Sequence, residues 1–298
     1  MPALSRRRLL SVAVTASALT ACGRAAAAPS PDPSVIYGRL AELERQYDAY
    51  VGLFAGNIGT GRTLAHRDGD SFAMCSTFKA YAAARVLQKA QRGELDLRQA
   101  VFIDPGELPP NSPVTAPQAG KTMTLAQLCA AALQRSDNAA ANLLLRTIGG
   151  PPAITEFARS IGDDRTRLDR WETDLNTAIP GDPRDTSTPR ALGGGIQTLL
   201  TGTVLGETQR RQLEDWMRGN ATSTMRAALP PGWTTADKTG TGDYGSTNDI
   251  GVAYGPDGQR VLLSLMTRSE PPNQDADPLW PLIADVTGAV LPWLIGTG

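Results

Sequence analysis

The 298-residue sequence has one histidine, three cysteines and few aromatics, 5% of the chain. A histidine-rich zinc site cannot be built from a single imidazole. A Ser-His-Asp triad would have to recruit that residue, His66, which the local pattern puts at a strand end, so His66 reads as structural. Cys22 lies in the N-terminal leader, and the spacing of the other two, Cys75 and Cys129, matches no metal or disulfide motif. Both read as buried free thiols. An excess of either charge is missing too: 29 Lys and Arg against 30 Asp and Glu leave a formal net charge of −1. That balance offers no footprint for nucleic acid or an anionic membrane. No metal or organic cofactor is expected. Long apolar runs are also absent. The last apolar stretch, residues 279–295, contains Asp285 and prolines, and reads as a helix packed on a sheet rather than a membrane span.

What is present begins with an export signal. Arg6, Arg7 and Arg8 precede an apolar run over residues 9–21, too short to span a bilayer and suited to a signal-peptide core. Paired arginines followed by leucines look like a twin-arginine export signal. Leu19-Thr20-Ala21-Cys22 looks like a lipobox with Cys22 as the lipidated residue; the alternative is plain cleavage near residues 25–28, with Cys22 discarded. Pro29-Ser30-Pro31-Asp32-Pro33 reads as a tether. Membrane contact is expected only through such a lipid anchor, and the folded part is expected to be a monomer.

Apolar residues at helical spacing predict a helix over 35–47, and 50–55 reads as a strand followed by a turn and a short second strand. Helices are expected over 76–91, 124–134 and 138–148, with Thr122 or Thr124 capping the second and Gly149-Gly150 closing the third. Two β-rich runs, 249–254 and 260–267, flank Gly255-Pro256-Asp257-Gly258 as a hairpin. Strands therefore lie early and late, with helices between. The expected fold is α/β plus all-α: an antiparallel sheet flanked by helices and formed by both chain ends, with an inserted helical domain. The expected division is 1–21 export signal, 22–34 tether, 35–70 with 218–298 sheet domain, and 71–217 helical domain.

Cys75-Ser76-Thr77-Phe78-Lys79 places a serine and a lysine one helical turn apart, on one face. A serine hydroxyl needs a base to become a nucleophile, and with no usable histidine a desolvated lysine is the local candidate. Ser-x-x-Lys alone is a weak signal. Three further stretches strengthen it: Ser136-Asp137-Asn138 between two expected helices, Lys238-Thr239-Gly240 at a strand edge, and Glu172-Thr173-Asp174-Leu175-Asn176 in a loop punctuated by proline and glycine.

In this order, and with Ser112-Pro113-Val114-Thr115 and a loop-closing Arg170 and Asp185, these residues resemble the class A serine β-lactamases, and the run Lys238-Thr239-Gly240-Thr241-Gly242-Asp243-Tyr244-Gly245 resembles actinomycete enzymes. The resemblance runs from about residue 35 to the C-terminus. It implies hydrolysis of penicillins and some cephalosporins, conferring resistance. Ser76 would be the nucleophile, with Lys79 or Glu172 taking its proton and Ser136 passing one to the leaving nitrogen. The backbone N–H groups of Ser76 and Thr241 would hold the oxyanion. Lys238, Thr239, Gly240 and Thr241 would form the carboxylate site, with Asn138 contacting the substrate amide. Glu172, helped by Asn176, would activate the deacylating water. A penicillin-binding transpeptidase or an antibiotic sensor shares the serine, lysine and Lys-Thr-Gly elements but not Glu172, which argues against both.

The pattern has departures. Thr247 stands near the place of an arginine that supports carboxylate binding in many relatives. Arg226 is a candidate replacement, with a structural salt bridge as its alternative role. Asn111 replaces a common aromatic, Thr173 a common proline, and Gly242 a cysteine that pairs with the equivalent of Cys75 in some carbapenem-hydrolysing members.

Overall fold

The structure, a computed structural model, describes residues 32–296. The export signal, the Cys22 site and the tether up to residue 31 lie outside the described residues.

Helix α1 (Ser34–Tyr47) buries Leu40 and Leu43 and ends at Asp48, whose left-handed conformation turns the chain into β1 (Ala49–Asn57). The Asn57 carboxamide accepts from the N–H groups of Gly59 and Thr60, an Asx-type turn that returns the chain as β2 (Thr63–His66). After the two-residue strand β3 (Phe72–Ala73) comes a 3-10 turn, Cys75–Phe78, and then α2 (Lys79–Gln91). Regular helix thus starts three residues later than the expected Ser76. Cys75 has φ +48°, a left-handed conformation that cannot belong to a helix, and the chain needs a tight turn before it can wind. Helix α2 is then buried from Lys79 to Ala84, because five of those six residues are alanine or tyrosine packed among other helices.

Short strands β4 (Ala100–Phe102) and β5 (Thr122–Thr124) pair antiparallel and lead into α3 (Leu125–Gln134). Thr124 caps it through a reciprocal capping box with Gln127. Asp137 caps α4 (Asn138–Ile148), and Gly149 at φ +112° stops it, a backbone angle that favours glycine. Then follow α5 (Pro152–Ser160), β6 (Thr186–Ser187, paired with β3), α6 (Pro189–Thr201) and α7 (Glu207–Arg218). The chain closes with β7 (Thr234–Thr241), β8 (Thr247–Tyr254), β9 (Arg260–Ser269) and α8 (Trp280–Ile295).

The main sheet has five antiparallel strands in the order β2-β1-β9-β8-β7, so early and late segments of the chain form one sheet, as expected, joined where β1 pairs with β9. The run Val261-Leu262-Leu263 reads as unbroken apolar because both faces of β9 are covered. Val261, Leu263 and Leu265 join α1 and α8 in one core, while Leu262 and Met266 face a second core shared with α2–α7. Among the described residues no helix is long and apolar enough to cross a membrane. Strand β7, which carries Lys238, lies at the open edge of the sheet and faces the 3-10 turn that carries Ser76.

Candidate active site

Ser76 opens the path into α2, and Lys79, one turn on, is fully buried. Cys75 before the serine and Ser136 across the cleft both take positive φ, +48° and +53°, a sparsely populated state for such residues that clusters at working sites. Lys79 Nζ lies 2.9 Å from Glu172 Oε1 and donates to Asn138 Oδ1 at 2.6 Å and to the Ser136 carbonyl at 2.8 Å. Ser76 Oγ donates to the same Glu172 Oε1 at 3.1 Å. A serine hydroxyl and a lysine Nζ therefore converge on one carboxylate oxygen in a buried cluster. Burial pulls the pKa of Lys79 below its ordinary range, although the Glu172 charge works in the other direction.

Glu172 is held from several sides. Asn142 on α4 clamps its backbone, accepting from Glu172 N at 3.0 Å and donating to Glu172 O at 2.9 Å. Asn176 Nδ2 donates to Glu172 Oε2 at 2.6 Å, and Leu175 beside it is buried. The peptide between Glu172 and Thr173 is cis. Arg170 Nε meets Asp185 Oδ2 at 2.6 Å, and Asp185 Oδ1 also accepts from the N–H groups of Asp169 and Arg170. The loop is thus closed at its base by a buried carboxylate with three donors.

Ser136 and Asn138 are placed by the residue between them. Buried Asp137 accepts from Ala140 N at the start of α4, from Val114 N and Thr115 N, and from Thr115 Oγ1 at 2.7 Å. This bonding joins Ser112-Pro113-Val114-Thr115 to Ser136-Asp137-Asn138.

From β7, Lys238 Nζ donates to Ser136 Oγ at 3.1 Å and to the Thr239 carbonyl at 2.7 Å. Burial, followed by repulsion from Lys79, pushes the pKa of Lys238 down to about 7. Gly240 is where β7 meets the turn that carries Ser76. A Cβ there would lie 2.6 Å from the Met74 carbonyl and 3.1 Å from Ser76 N, so only glycine allows this approach. Thr241 follows at the strand end.

These elements enclose a cavity of about 520 Å³ lined by Ser76, Ser136, Asn138, Asn176, Thr239, Gly240 and Thr241, with Asn111 on one wall. Lys79, Glu172 and Lys238 stand behind that lining, tied to it by the bonds above. Arg226, the candidate carboxylate ligand, is not brought to the cavity. Arg226 lies in a 3-10 turn, Met225–Ala228, and its guanidinium bonds Thr235 Oγ1 at 2.9 Å, the Asn220 carbonyl at 3.0 Å and Asp237 Oδ1 at 3.4 Å. Of its two expected roles, the structural one matches this placement.

Cys75 and Cys129 are buried and free, and desolvation raises the pKa of both thiols. A Cβ on Gly242 would sit 2.8 Å from Cys75 Sγ, so the two backbone positions are neighbours, but this chain has no second thiol there. His66 ends β2, with Nε2 3.3 Å from Glu44 Oε1. Among the described residues no group of three His, Cys, Asp or Glu side chains converges as a metal site.

Sequence reasoning missed Asp137 and Asn142 as positioning residues, and Thr222, Thr224, Asn248 and Trp280 as parts of the cavity lining. Asn142 had a usable signal: it lies four residues after Asn138, on the same helical face. Asp137 lies inside the quoted Ser136-Asp137-Asn138 stretch, and the four lining residues reach the site through pairings distant in the chain.

A family model described as "Beta-lactamase enzyme family" matches residues 36–291. The chain is 43% identical to the β-lactamase AST-1 of Nocardia asteroides, over 96% of this chain and 95% of the relative. Among solved structures, a β-lactamase from Desulfarculus baarsii superposes with a TM-score of 0.86 at 46% identity, covering 88% of this chain and 98% of that one. A class A β-lactamase representing the last common ancestor of Gram-negative bacteria gives 0.83 at 45%, covering 86% and 98%. With family, relatives and solved neighbours in agreement over nearly the whole described region, the chain belongs to the β-lactamase enzyme family, and its structural neighbours are class A enzymes.

Proposed function

We propose that this enzyme hydrolyses the lactam amide of penicillins and of some cephalosporins through an ester on Ser76. The observation that carries the reading is the shared Glu172 oxygen, which accepts from Ser76 Oγ and pairs with Lys79 in a buried site. Ser76 Oγ attacks the lactam carbonyl carbon as its proton leaves toward Glu172, directly or through water, or toward Lys79. The oxyanion rests on the backbone N–H groups of Ser76 and Thr241. The carbon–nitrogen bond breaks, and the nitrogen takes its proton from Ser136, which Lys79 and Lys238 both contact; Lys79 passes on to Ser136 the proton taken from Ser76, so that Glu172 is a carboxylate again before deacylation. Water then attacks the ester and gives a proton to Glu172, oriented by Asn176, and Ser76 leaves with its hydroxyl restored. Lys238, Thr239, Gly240 and Thr241 receive the substrate carboxylate, and Asn138 the side-chain amide.

Steady-state hydrolysis of a penicillin by the folded domain, with intact-mass detection, tests the reading. Rapid turnover with little adduct is expected. A single burst leaving a stable adduct on Ser76 would instead identify a penicillin-binding protein or a sensor.

The enzyme is further proposed to act as an exported monomer, carried by the twin-arginine signal and anchored by lipid at Cys22. Mass spectrometry of the membrane fraction should find a diacylated N-terminal cysteine. An unmodified chain cleaved near residues 25–28 would refute the anchor.

A further inference from the structure

The catalytic cavity is lined almost wholly by serine, threonine, asparagine and glycine, with one exception. Trp280, the first residue of α8, is the only aromatic or aliphatic side chain among its lining residues, and it is 53% exposed. None of the hydrolytic steps uses it.

Its position follows from pairing between distant parts of the chain. Thr241 at the end of β7 lies opposite Thr247 at the start of β8. Thr247 Oγ1 donates to the Gly245 carbonyl at 3.0 Å and accepts from Leu279 N at 2.8 Å. Leu279 immediately precedes Trp280, so a buried hydroxyl pins the start of α8 to the end of the cavity where Thr241 stands. Asn111 and Asn138, joined by the bond from Asn138 N to the Asn111 carbonyl at 3.0 Å, line the cavity from other elements.

We propose that Trp280 is a specificity-determining residue whose indole receives an aryl or vinyl-aryl group on the substrate ring that carries the carboxylate. In a cephalosporin this is the substituent at carbon 3. The inference rests on the proposed acyl-enzyme reading, which directs the carboxylate to Lys238, Thr239 and Thr241 and the acylamino side chain to Asn138. A group attached beside the carboxylate then extends past Thr241 toward Thr247 and Trp280. An acylamino group extends the other way. An exposed indole in an otherwise polar cleft gains apolar area and offset ring contact when such a group covers it, whereas a methyl group offers little of either.

The test compares two cephalosporins with the same acyl side chain, one with methyl and one with styryl at carbon 3, on wild type, Trp280→Ala and Trp280→Phe. For the styryl compound, kcat/KM should fall roughly three- to tenfold in Trp280→Ala, mainly through KM, and largely recover in Trp280→Phe. For the methyl compound it should stay within about twofold. Equal losses on both substrates, or no loss on either, would overturn the role of Trp280 while leaving hydrolysis intact. Failure of the wild type to turn over either compound while it hydrolyses a penicillin would overturn this proposal alone, and failure on the penicillin as well would sink the hydrolytic reading.

Discussion

Two lysines converge on Ser136, and they are not equivalent. Lys79 is paired with Glu172 at 2.9 Å, whereas Lys238 bonds Ser136 Oγ and the Thr239 carbonyl, both neutral acceptors. Burial and the neighbouring Lys79 lower the pKa of Lys238 to about 7, against 10.5 ordinarily. Between those values the unfolded chain binds a proton that the folded chain does not. The cost of burying this ammonium is therefore fully present below about pH 7 and is relieved as pH rises toward the unfolded value. Activity runs the other way, because the charge that would attract the substrate carboxylate is lost as pH rises through about 7. The profile of kcat/KM, which reports the free enzyme, should show an alkaline limb near neutrality. In Lys238→Arg that limb should move out of range at a lower absolute rate, since a guanidinium stays charged. An unchanged limb in the arginine variant would show that another group is titrating.

At the scale of elements, the site depends on how closely β7 approaches the turn before α2. Gly240→Ala would drive a methyl carbon against the Met74 carbonyl at 2.6 Å and displace the strand end that carries Thr241. If Thr241 N is an oxyanion donor, kcat should fall roughly 10²- to 10³-fold. Activity within a few-fold of wild type in a folded variant would remove that donor from the account. Helix α4 was legible to the residue because both of its ends are coded locally, by the Asp137 cap and by Gly149. The start of α2 was not, because periodicity does not register a left-handed Cys75 or a 3-10 turn. Asp137 drew no role of its own from the sequence, although its carboxylate accepts from four donors and ties two motifs together. Local pattern marks which residues are unusual but not which partners they meet.

Across the whole molecule, the residues proposed to be catalytic come from the 3-10 turn before α2, the first residue of α2, the α3–α4 connection, the loop around Glu172 and the edge strand β7. The order of strands and helices was enough to indicate a sheet of both chain ends with helices between. Register was not legible, and register brings Trp280 to the cavity and leaves Arg226 out of it. Arg226 illustrates the limit: a cation near the right place in sequence is captured by Thr235, Asn220 and Asp237. In the proposed mechanism Glu172 completes a cycle that Ser76 begins. The most direct test is a time course of intact mass for wild type and Glu172→Gln mixed with a penicillin. Acylation should survive in the variant, since Lys79 remains beside the serine turn, while deacylation should slow by roughly 10²- to 10⁴-fold. A long-lived adduct on Ser76 in the variant, with only a fleeting one in wild type, is the predicted result. Equally fast clearance of the adduct in both proteins would contradict it.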